Sequence, residues 1–342
     1  MEQKVRGRHR TRSKLRRRLM WASICVVTVL VVLVGVVLVD AAVLNGKIKH
    51  VVVKNLHKAP TKGPEKGTEN ILLVGSTSRC VLKEQNPQFG LCDDGITGVN
   101  SDVVMILHLN PNVPSASIIS IPRDLFIPNA RSDGANRINA GLADGPSQLV
   151  ASIEEDFGIP IQHYVELNFD SFAGVVNALG GVKMYFPMPL FDKFSGLNIT
   201  TPGCHDLNGF QALAVVRARH LQYDPPSLPE STPHSDWPQD PESDLSRIRR
   251  DHEFLRVLAT AMAKKGLGNP VTDQGIMSSV VSDLQVDSGF SLSDMISLIL
   301  TFHTVNANTS PQLTIPVQVV DNLNYQYEGY GYGNIEFPNE QL

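Results

Sequence analysis

Metal-binding and repeat signatures are missing from this 342-residue chain. It has four cysteines and ten histidines, and no group of them has the spacing of zinc ligands, which argues against a zinc site. No internal repeat is present, which excludes a solenoid. The length nevertheless suffices for one large domain or two small ones with a substantial core.

The first 39 residues divide into a basic tail and an uncharged run. Residues 1–18 contain nine Lys and Arg and one Glu. Residues 19–39 carry no charge and match the roughly 20 residues that a helix needs to cross a bilayer. We predict one transmembrane helix; a cleaved signal peptide is the alternative, although its apolar region usually has about 7–15 residues. The positive-inside bias places the tail in the cytoplasm and everything after Asp40 outside, so we expect a single-pass protein of the cell membrane.

Charge separates the tail from the rest of the chain. The tail carries a formal charge of +8 and the whole chain −4, so the remainder carries −12. We interpret the tail as a topology signal that also attracts membrane lipid. It is too short for a DNA-binding domain, and we expect no nucleic-acid partner.

Two of the cysteines are spaced for a short disulfide loop. Cys80 and Cys92 bracket the segment CVLKEQNPQFGLC, which a disulfide can close in an oxidising compartment. The alternative is a pair of free thiols. Cys25 lies within the apolar run, and Cys204 is left over.

The remaining chain is predicted to form a stalk followed by one domain. Residues 40–67 become rich in Lys, Gly and Pro and are typical of an extracellular stalk. From 68 to 342, strands alternate with helices, which predicts a layered α/β/α domain with a mixed central sheet. The predicted strands are 70–75, 101–109, 115–121, 163–169, 182–186 and 312–320. The predicted helices are 145–158, 170–181 capped by Asp170, 205–216, 243–266, and 291–302 with a capping box from Ser291 to Asp294.

Two aspartates are expected at one end of the sheet. Asp102 begins one apolar strand and Asp124 follows the next, and a turn-rich link makes the two strands a hairpin. Carboxylates at the same end of a hairpin can share a hard cation, for which Mg²⁺ is the natural candidate and Mn²⁺ the alternative. An aspartate at a strand end is otherwise a turn cap.

Arginines surround these carboxylates in the sequence. Arg217 and Arg219 share a face if their segment is extended. Arg247, Arg250 and Asp251 share a helix face, and Arg123 and Arg137 lie near the strand ends. Such a set suits a diphosphate, because guanidinium groups bind phosphoryl oxygens in pairs and stabilise charge on a leaving oxygen. Surface salt bridges are the alternative for any one of them.

Several motifs then follow one another in order. They are NILLVGSTSR, SDVVMILHLNP, IISIPRDLFI, NRINAGLADG, GIPIQHYVELNFDSFAGVVNALGGV, LNGFQALAVVRARH and DLSRIRRDHEFL. Together with the N-terminal apolar run, they resemble the LytR-CpsA-Psr (LCP) family of bacterial cell-wall phosphotransferases. The resemblance covers residues 68–265.

The resemblance implies a specific activity and site. Family members transfer a glycopolymer 1-phosphate from a polyprenyl-pyrophosphate carrier to a peptidoglycan hydroxyl and release polyprenyl phosphate. Asp102 and Asp124 match the magnesium-binding carboxylates, and five arginines match the pyrophosphate-binding set: Arg123, Arg137, Arg217, Arg219 and Arg247. We add Arg250 to this set, and expect Asp102, Arg123, Asp124, Arg217 and Arg219 to act in catalysis. Either aspartate is a candidate base.

Two departures from the family pattern stand out. Asp251 replaces a neutral polar residue and would repel phosphate unless it pairs with Arg247 or reaches the metal. Residues 221–244, rich in Pro and acids, are predicted to be a mobile loop that either gates acceptor entry or is an unimportant insertion. The stripe of Phe172, Val175, Val176 and Leu179 either lines a lipid groove or belongs to the core.

Three functional hypotheses remain from the sequence. The first is the transferase that the resemblance implies. The second is a hydrolase that cleaves lipid pyrophosphates at the same site with water as acceptor. The third is a non-catalytic envelope protein that binds lipid or regulates other proteins. The aspartates and arginines favour catalysis, but nothing in the sequence separates transfer from hydrolysis.

Overall fold

A computed structural model describes most of the chain after residue 45. The described residues are 46, 48–77, 98–229, 231–241, 243–264, 284–302, 305–306, 309–320 and 325–339. The chain divides into two compact units, 1–46 and 47–342, and the description below concerns the second. Elements are numbered in chain order within the described residues.

A seven-stranded sheet forms the centre of this unit. Its strands are β1 (Lys49–Val51), β2 (Glu69–Ser76), β3 (Ser101–Asn110), β4 (Ser115–Ser120), β7 (His163–Leu167), β13 (Gln285–Asp287) and β14 (Gln312–Thr314), in the order β1-β13-β7-β2-β3-β4-β14. The pairs β1–β13, β2–β7 and β4–β14 are parallel, whereas the other three pairs are antiparallel. The predicted mixed sheet is therefore confirmed, and β3 and β4 form the predicted hairpin.

In the described part of the chain, five helices pack around this sheet and its smaller neighbours. They are α1 (Pro146–Phe157), α2 (Phe169–Ala178), α3 (Gly209–Arg217), α4 (Ser243–Lys264) and α5 (Leu292–Phe302). Side chains alternate across a strand, so Leu72, Val74 and Ile106 pack with α1 in one core. A second core joins α2, α3 and α4 to short strands, with Phe254 and Val215 almost fully buried.

The short strands form small satellite sheets. They are β5 (Phe126–Arg131) with β6 (Gly134–Arg137), β8 (Val182–Phe186) with β11 (Gly203–Leu207), β9 (Leu190–Asp192) with β10 (Leu197–Ile199) and β12 (Gln222–Tyr223), β15 (Val317–Val320) with β18 (Ile335–Pro338), and β16 (Gln326–Tyr327) with β17 (Tyr330–Gly331). Short 3₁₀ helices lie at Ile138–Asp144 and His234–Asp236. The β5–β6 hairpin directly follows the Arg123–Asp124 turn.

Several predicted boundaries were wrong. Residues 203–207 form β11 rather than the start of a helix, because they pair with β8. The second predicted helix begins at Phe169 and is capped by Asn168, whose side chain accepts a hydrogen bond from Ser171 N, not by Asp170. The predicted strand 312–320 is split into β14 and β15 around Pro316, which has no N–H to continue a ladder.

Two segments contain more structure than predicted. Lys49–Val51 pairs with β13 and Ile48 is buried, so part of the predicted stalk belongs to the sheet. The predicted mobile loop 221–244 includes β12 and a buried Trp237, and Tyr223 N donates to Pro238 O at 3.1 Å. The capping box at α5 is confirmed, since Ser291 N donates to Asp294 and Asp294 N to Ser291 Oγ.

Other predictions fall on residues that are not described. The apolar run 19–39 and the Cys80–Cys92 loop lie outside the described residues. Among the residues that are described, no helix is both long and apolar enough to cross a bilayer. Cys204 is a free, exposed thiol.

Candidate active site

Asp124 is the centre of a cluster of guanidinium groups. It lies in the turn between β4 and β5, where the side chain is buried. Arg219 Nη2 donates to it at 2.9 Å and Arg137 Nη1 at 3.3 Å, and Arg123 Nε lies 3.4 Å from Asp124 Oδ2. A buried charge is costly unless it is paired, so this carboxylate holds three arginines in one place.

Asp102 joins the same cluster through Arg123. Arg123 Nη1 donates to Asp102 Oδ1 while Nε faces Asp124. The structure thus brings the two predicted carboxylates together at one end of the β3–β4 hairpin, with a guanidinium contacting both. Asp102 is more exposed than Asp124, with side-chain exposures of 25% and 10%.

Arg217 and Arg219 reach the site from a helix end. We expected the two side chains to share a face if their segment is extended; α3 continues through Arg217, and the backbone becomes extended at Ala218. The Arg217 guanidinium lies 4.6 Å above the centre of the Phe169 ring, a stacking geometry that guanidinium favours. Arg219 turns towards Asp124. The change from helix to extended backbone therefore separates the two side chains.

Asp192 fixes this turn and was not predicted as a site residue. It is fully buried. Its Oδ2 accepts hydrogen bonds from Arg219 N at 2.8 Å and His220 N at 2.9 Å, and its Oδ1 accepts from Phe194 N at 2.8 Å. The local FDKF pattern suggests an Asx turn, but the contact with Arg219 spans 27 residues and has no local signal.

Arg250 supports the same turn through a backbone hydrogen bond. Its Nη2 donates to the carbonyl of Ala218, and its Nη1 lies 3.6 Å from Asp240. Burial lowers the pKa of the Arg250 guanidinium. The Arg250 guanidinium also interacts electrostatically with Asp251 and Arg247, in keeping with the predicted patch on one helix face, while its hydrogen bond supports the backbone between Arg217 and Arg219.

Arg247 and Asp251 form a buried pair on α4. Their side chains are nearly inaccessible, and Arg247 Nε lies 3.9 Å from Asp251 Oδ2. The sequence led us to expect that Asp251 would repel a phosphate group unless it pairs with Arg247. The structure contains this pair. The residues face a cavity together with Asp102 and Arg217.

The cavity connects the charged cluster to an apolar interior. It measures about 140 Å³ and lies between β2, β3 and helices α2, α3 and α4, where Leu73, Phe172 and Phe254 line its wall. Of the predicted stripe, only Phe172 lines this cavity, whereas Val175, Val176 and Leu179 are buried. A second cavity of about 500 Å³ shares Leu73 and Leu255 with the first and extends between the sheet and helices α4 and α5.

The carboxylates of the cluster are candidate ligands for a metal ion. Within the described parts of the chain, no group of three or more His, Cys, Asp and Glu side chains is arranged to hold a metal ion. Asp102 and Asp124 are two carboxylates, which is the number of protein ligands that Mg²⁺ commonly takes when substrate phosphates complete its shell.

Residues 41–227 match the model of the LytR_cpsA_psr family. The chain belongs to this family. The match includes Asp102, Arg123, Asp124, Arg217 and Arg219, but ends before α4. The strands β13 to β18 also lie outside the matched residues.

Curated relatives resemble parts of this LytR_cpsA_psr protein. The probable cell wall biosynthesis protein LcpB of Corynebacterium glutamicum is 32% identical over 223 residues, which are 64% of this chain and 48% of LcpB. The polyisoprenyl-teichoic acid–peptidoglycan teichoic acid transferase TagU of Bacillus cereus is 29% identical over 205 residues, 56% of this chain and 57% of TagU. The chain thus spans about half the length of these relatives.

Solved structures share the fold. The LytR-Csp2A-Psr enzyme from Actinomyces oris superposes with a TM-score of 0.64 at 23% identity, covering 86% of this chain and 92% of that one. A structure of TagT bound to LI-WTA gives a TM-score of 0.56 at 23% identity, covering 85% and 94%. These similarities support the mixed α/β architecture described above.

Proposed function

We propose that the protein is a phosphotransferase that attaches a cell-wall glycopolymer to peptidoglycan. In this reaction it takes a glycopolymer 1-phosphate from a polyprenyl-pyrophosphate carrier and releases polyprenyl phosphate. The observation that carries the proposal is a cavity that is lined by arginines and carboxylates as well as by apolar side chains, beside the arginine cluster at Asp124. A lipid pyrophosphate has the same two chemical parts.

The charged end suits the diphosphate. Arg123, Arg137 and Arg219 meet at Asp124, and Arg217 and Arg247 line the cavity beside it. Positive charge exceeds negative charge in this set, which favours an anionic head group. The fork of a guanidinium can hold two phosphoryl oxygens at once.

The apolar end suits the isoprenoid chain. Side chains on the face of the sheet opposite the first core, such as Leu73 and Leu107, line the two cavities. Their shared residues, Leu73 and Leu255, place the cavities next to each other. Burying isoprenoid carbons there is favourable at about 25 cal/mol per Å² of apolar surface.

Mg²⁺ fits the donor set at the charged end. Asp102 and Asp124 would hold the ion, and both offer the hard oxygen ligands that it prefers. When bound, Mg²⁺ neutralises charge on the phosphoryl oxygens. Mn²⁺ has the same ligand preference and is the alternative.

The transfer step exchanges one phosphorus–oxygen bond for another. The acceptor oxygen forms a bond to the glycan-linked phosphorus, and the bond from that phosphorus to the bridging oxygen breaks. The bridging oxygen keeps the electron pair and leaves with polyprenyl phosphate, where arginines offset its charge. Asp102, the more exposed carboxylate, is the better placed of the two to accept the hydroxyl proton.

We expect the protein to act outside the cell membrane. A carrier lipid and a peptidoglycan acceptor meet at the outer face of the cell membrane. The basic tail and the apolar run 19–39 favour a single-pass anchor with the tail in the cytoplasm and the α/β unit outside.

The test is a reconstituted transfer assay with the full-length chain. The substrates are a lipid-pyrophosphate-linked oligosaccharide, a peptidoglycan fragment and Mg²⁺, with products identified by mass. A phosphodiester-linked glycan on the fragment is expected, and the Asp124→Asn variant should reduce its formation roughly 100-fold or more. The matched control is Asp144→Asn, because Asp144 pairs with Arg131 outside the site. Equal loss in both variants, or full activity of Asp124→Asn, would contradict the assignment.

A further inference from the structure

The C-terminal region concentrates tyrosine in one hairpin. Four of the seven tyrosines in the chain lie within eight residues, at 325, 327, 330 and 332. Tyr327 pairs with Tyr330 across β16 and β17, and Tyr332 N donates to Tyr325 O at 2.8 Å. Opposed residues and residues two apart share a face. All four rings therefore emerge from the same face of this tyrosine hairpin (325–332).

The turn of the hairpin has a defined geometry. Its two central residues, Glu328 and Gly329, have φ values of 51° and 84°. Positive φ at both positions is the requirement of a type I′ turn, whose twist matches that of paired strands. A glutamate there adopts a left-handed conformation that glycine or asparagine adopts more easily. The turn holds Tyr327 and Tyr330 side by side at the tip.

Three of the rings anchor the hairpin to the domain. The rings of Tyr325, Tyr327 and Tyr332 meet the ring of Phe126 edge-on, with centroids 5.5, 5.5 and 5.0 Å away. Tyr332 Oη also donates to Ala135 O at 3.3 Å. Tyr330 is 71% exposed. The cluster around Phe126 thus fixes a hairpin whose tip presents an aromatic ring to solvent.

The aromatic cluster around Phe126 adjoins the arginine cluster at Asp124. Phe126 lies opposite Arg137 in the β5–β6 pair, so the two side chains share a face. On the strand after the hairpin, Glu336 N donates to Asp124 O at 3.0 Å. The tyrosine hairpin therefore stands beside the residues that we assign to phosphoryl transfer.

Charge and chemistry restrict what the hairpin can bind. Residues 321–342 contain no Lys or Arg and include four acidic residues, so an anionic polymer or an anionic membrane surface would be repelled. An exposed tyrosine offers a flat apolar face and a polar phenol at little conformational cost. A sugar ring with an apolar face and peripheral hydroxyl groups complements both.

We infer that the tyrosine hairpin binds sugar rings of the acceptor glycan, with Tyr330 as the stacking residue. The inference rests on the proposed function and adds a subsite to it. The rings that pack on Phe126 place this subsite on the side of the domain where Arg137 lies opposite Phe126. The hairpin lies beyond the residues matched by the family model.

The binding test uses a soluble N-acetylglucosamine tetramer titrated into the full-length chain by calorimetry. Tyr330→Leu should weaken binding roughly tenfold, because an aliphatic side chain cannot stack on a sugar. Tyr330→Phe keeps the ring and should stay within about threefold of wild type. The control is Tyr185→Leu, which removes a tyrosine of similar exposure, 67%, from β8 in a different sheet, and it should bind normally.

Unchanged affinity in Tyr330→Leu, or equal loss in Tyr185→Leu, overturns the subsite. So does a Tyr330-dependent interaction with anionic lipid vesicles in place of the tetramer. In the transfer assay, the subsite predicts that Tyr330→Leu raises KM for the acceptor and leaves kcat unchanged, and an unaltered acceptor KM overturns it. Tyr330-dependent glycan binding by a wild-type chain that never transfers would support the subsite and overturn only the proposed function.

Discussion

At the scale of single residues, Arg217 can be tested for binding of the pyrophosphate head group alone. It stacks on Phe169 and faces the cavity, so Arg217→Ala should weaken binding of geranyl pyrophosphate by about tenfold or more, because a charge-assisted contact is lost. Calorimetric titration measures this directly. Arg131→Ala is the matched control, since Arg131 pairs with Asp144 outside the site. Similar affinities of the two variants would show that Arg217 does not hold the head group.

Asp192 is a positioning residue whose effect should appear in binding. In Asp192→Asn an amide N–H₂ replaces one acceptor oxygen and opposes a pair of backbone N–H groups, so the turn that holds Arg219 loses hydrogen bonds worth about 1–3 kcal/mol. We expect KM for the lipid carrier to rise several-fold, about 3–10 times, at a temperature where the variant stays folded.

The control for Asp192 is Asp144→Asn, because Asp144 also accepts several hydrogen bonds, from Arg131 and Ser132. It should lose stability with no change in carrier KM. If both variants lose stability and neither changes KM, Asp192 has only a structural role.

Local sequence patterns predicted some of the site residues and missed others. Asp102, Asp124 and the arginines of the β3–β4 and α3 ends were predicted because strand ends and charged motifs are local signals. Asp192 and Arg250 act on the turn at 217–219 through contacts 27 and 32 residues apart in sequence. Such contacts depend on tertiary packing, which no local pattern encodes.

At the scale of elements, the contact between α2 and α3 depends on a glycine. A Cβ at Gly209 would lie 2.3 Å from Ala173 O. This distance is too short for a non-bonded contact between a carbon and an oxygen atom. Gly209→Ala should therefore force the helices apart and lower the free energy of unfolding by about 1–3 kcal/mol. Gly98→Ala, where a Cβ would meet nothing, is the control. Urea denaturation compares the two, and equal midpoints would contradict the close packing.

Helices and strands were predicted well where the apolar pattern extends over many residues and poorly where it extends over only a few. The helices α1, α4 and α5 and the strands β2 to β4 follow from repeated apolar positions and caps. β11 was missed because its residues alternate in burial over only five positions, and the tyrosine strands β16 and β17 have two residues each. Short strands are stabilised by their partners rather than by their own pattern.

At the scale of the whole molecule, a buried histidine links α4 to the sheet and makes stability depend on pH. His252 Nε2 and Ser120 Oγ are hydrogen-bonded at 2.6 Å in the interior, and burial, with a smaller effect of Arg256, lowers the pKa of His252. The unfolded chain takes up a proton first, near its ordinary pKa of about 6.5, so stability should fall as pH drops below that value towards the lower folded pKa. Above about 6.5 the effect vanishes.

Denaturation of wild type and His252→Gln between pH 8 and pH 5 measures this link. The wild type should lose stability across that range by more than the variant, which has no imidazole to protonate. Parallel losses in both proteins would assign the pH dependence to other groups.

In the proposed reaction, a hydroxyl group of peptidoglycan and not water attacks the glycan-linked phosphorus. This step is tested most directly by running the transfer reaction in ¹⁸O-labelled water and determining the masses of all phosphate-containing products. We expect an unlabelled phosphodiester on the peptidoglycan fragment and unlabelled polyprenyl phosphate, and formation of both should depend on the acceptor. Glycan phosphate that contains ¹⁸O and forms equally with or without the acceptor would contradict it and identify a hydrolase.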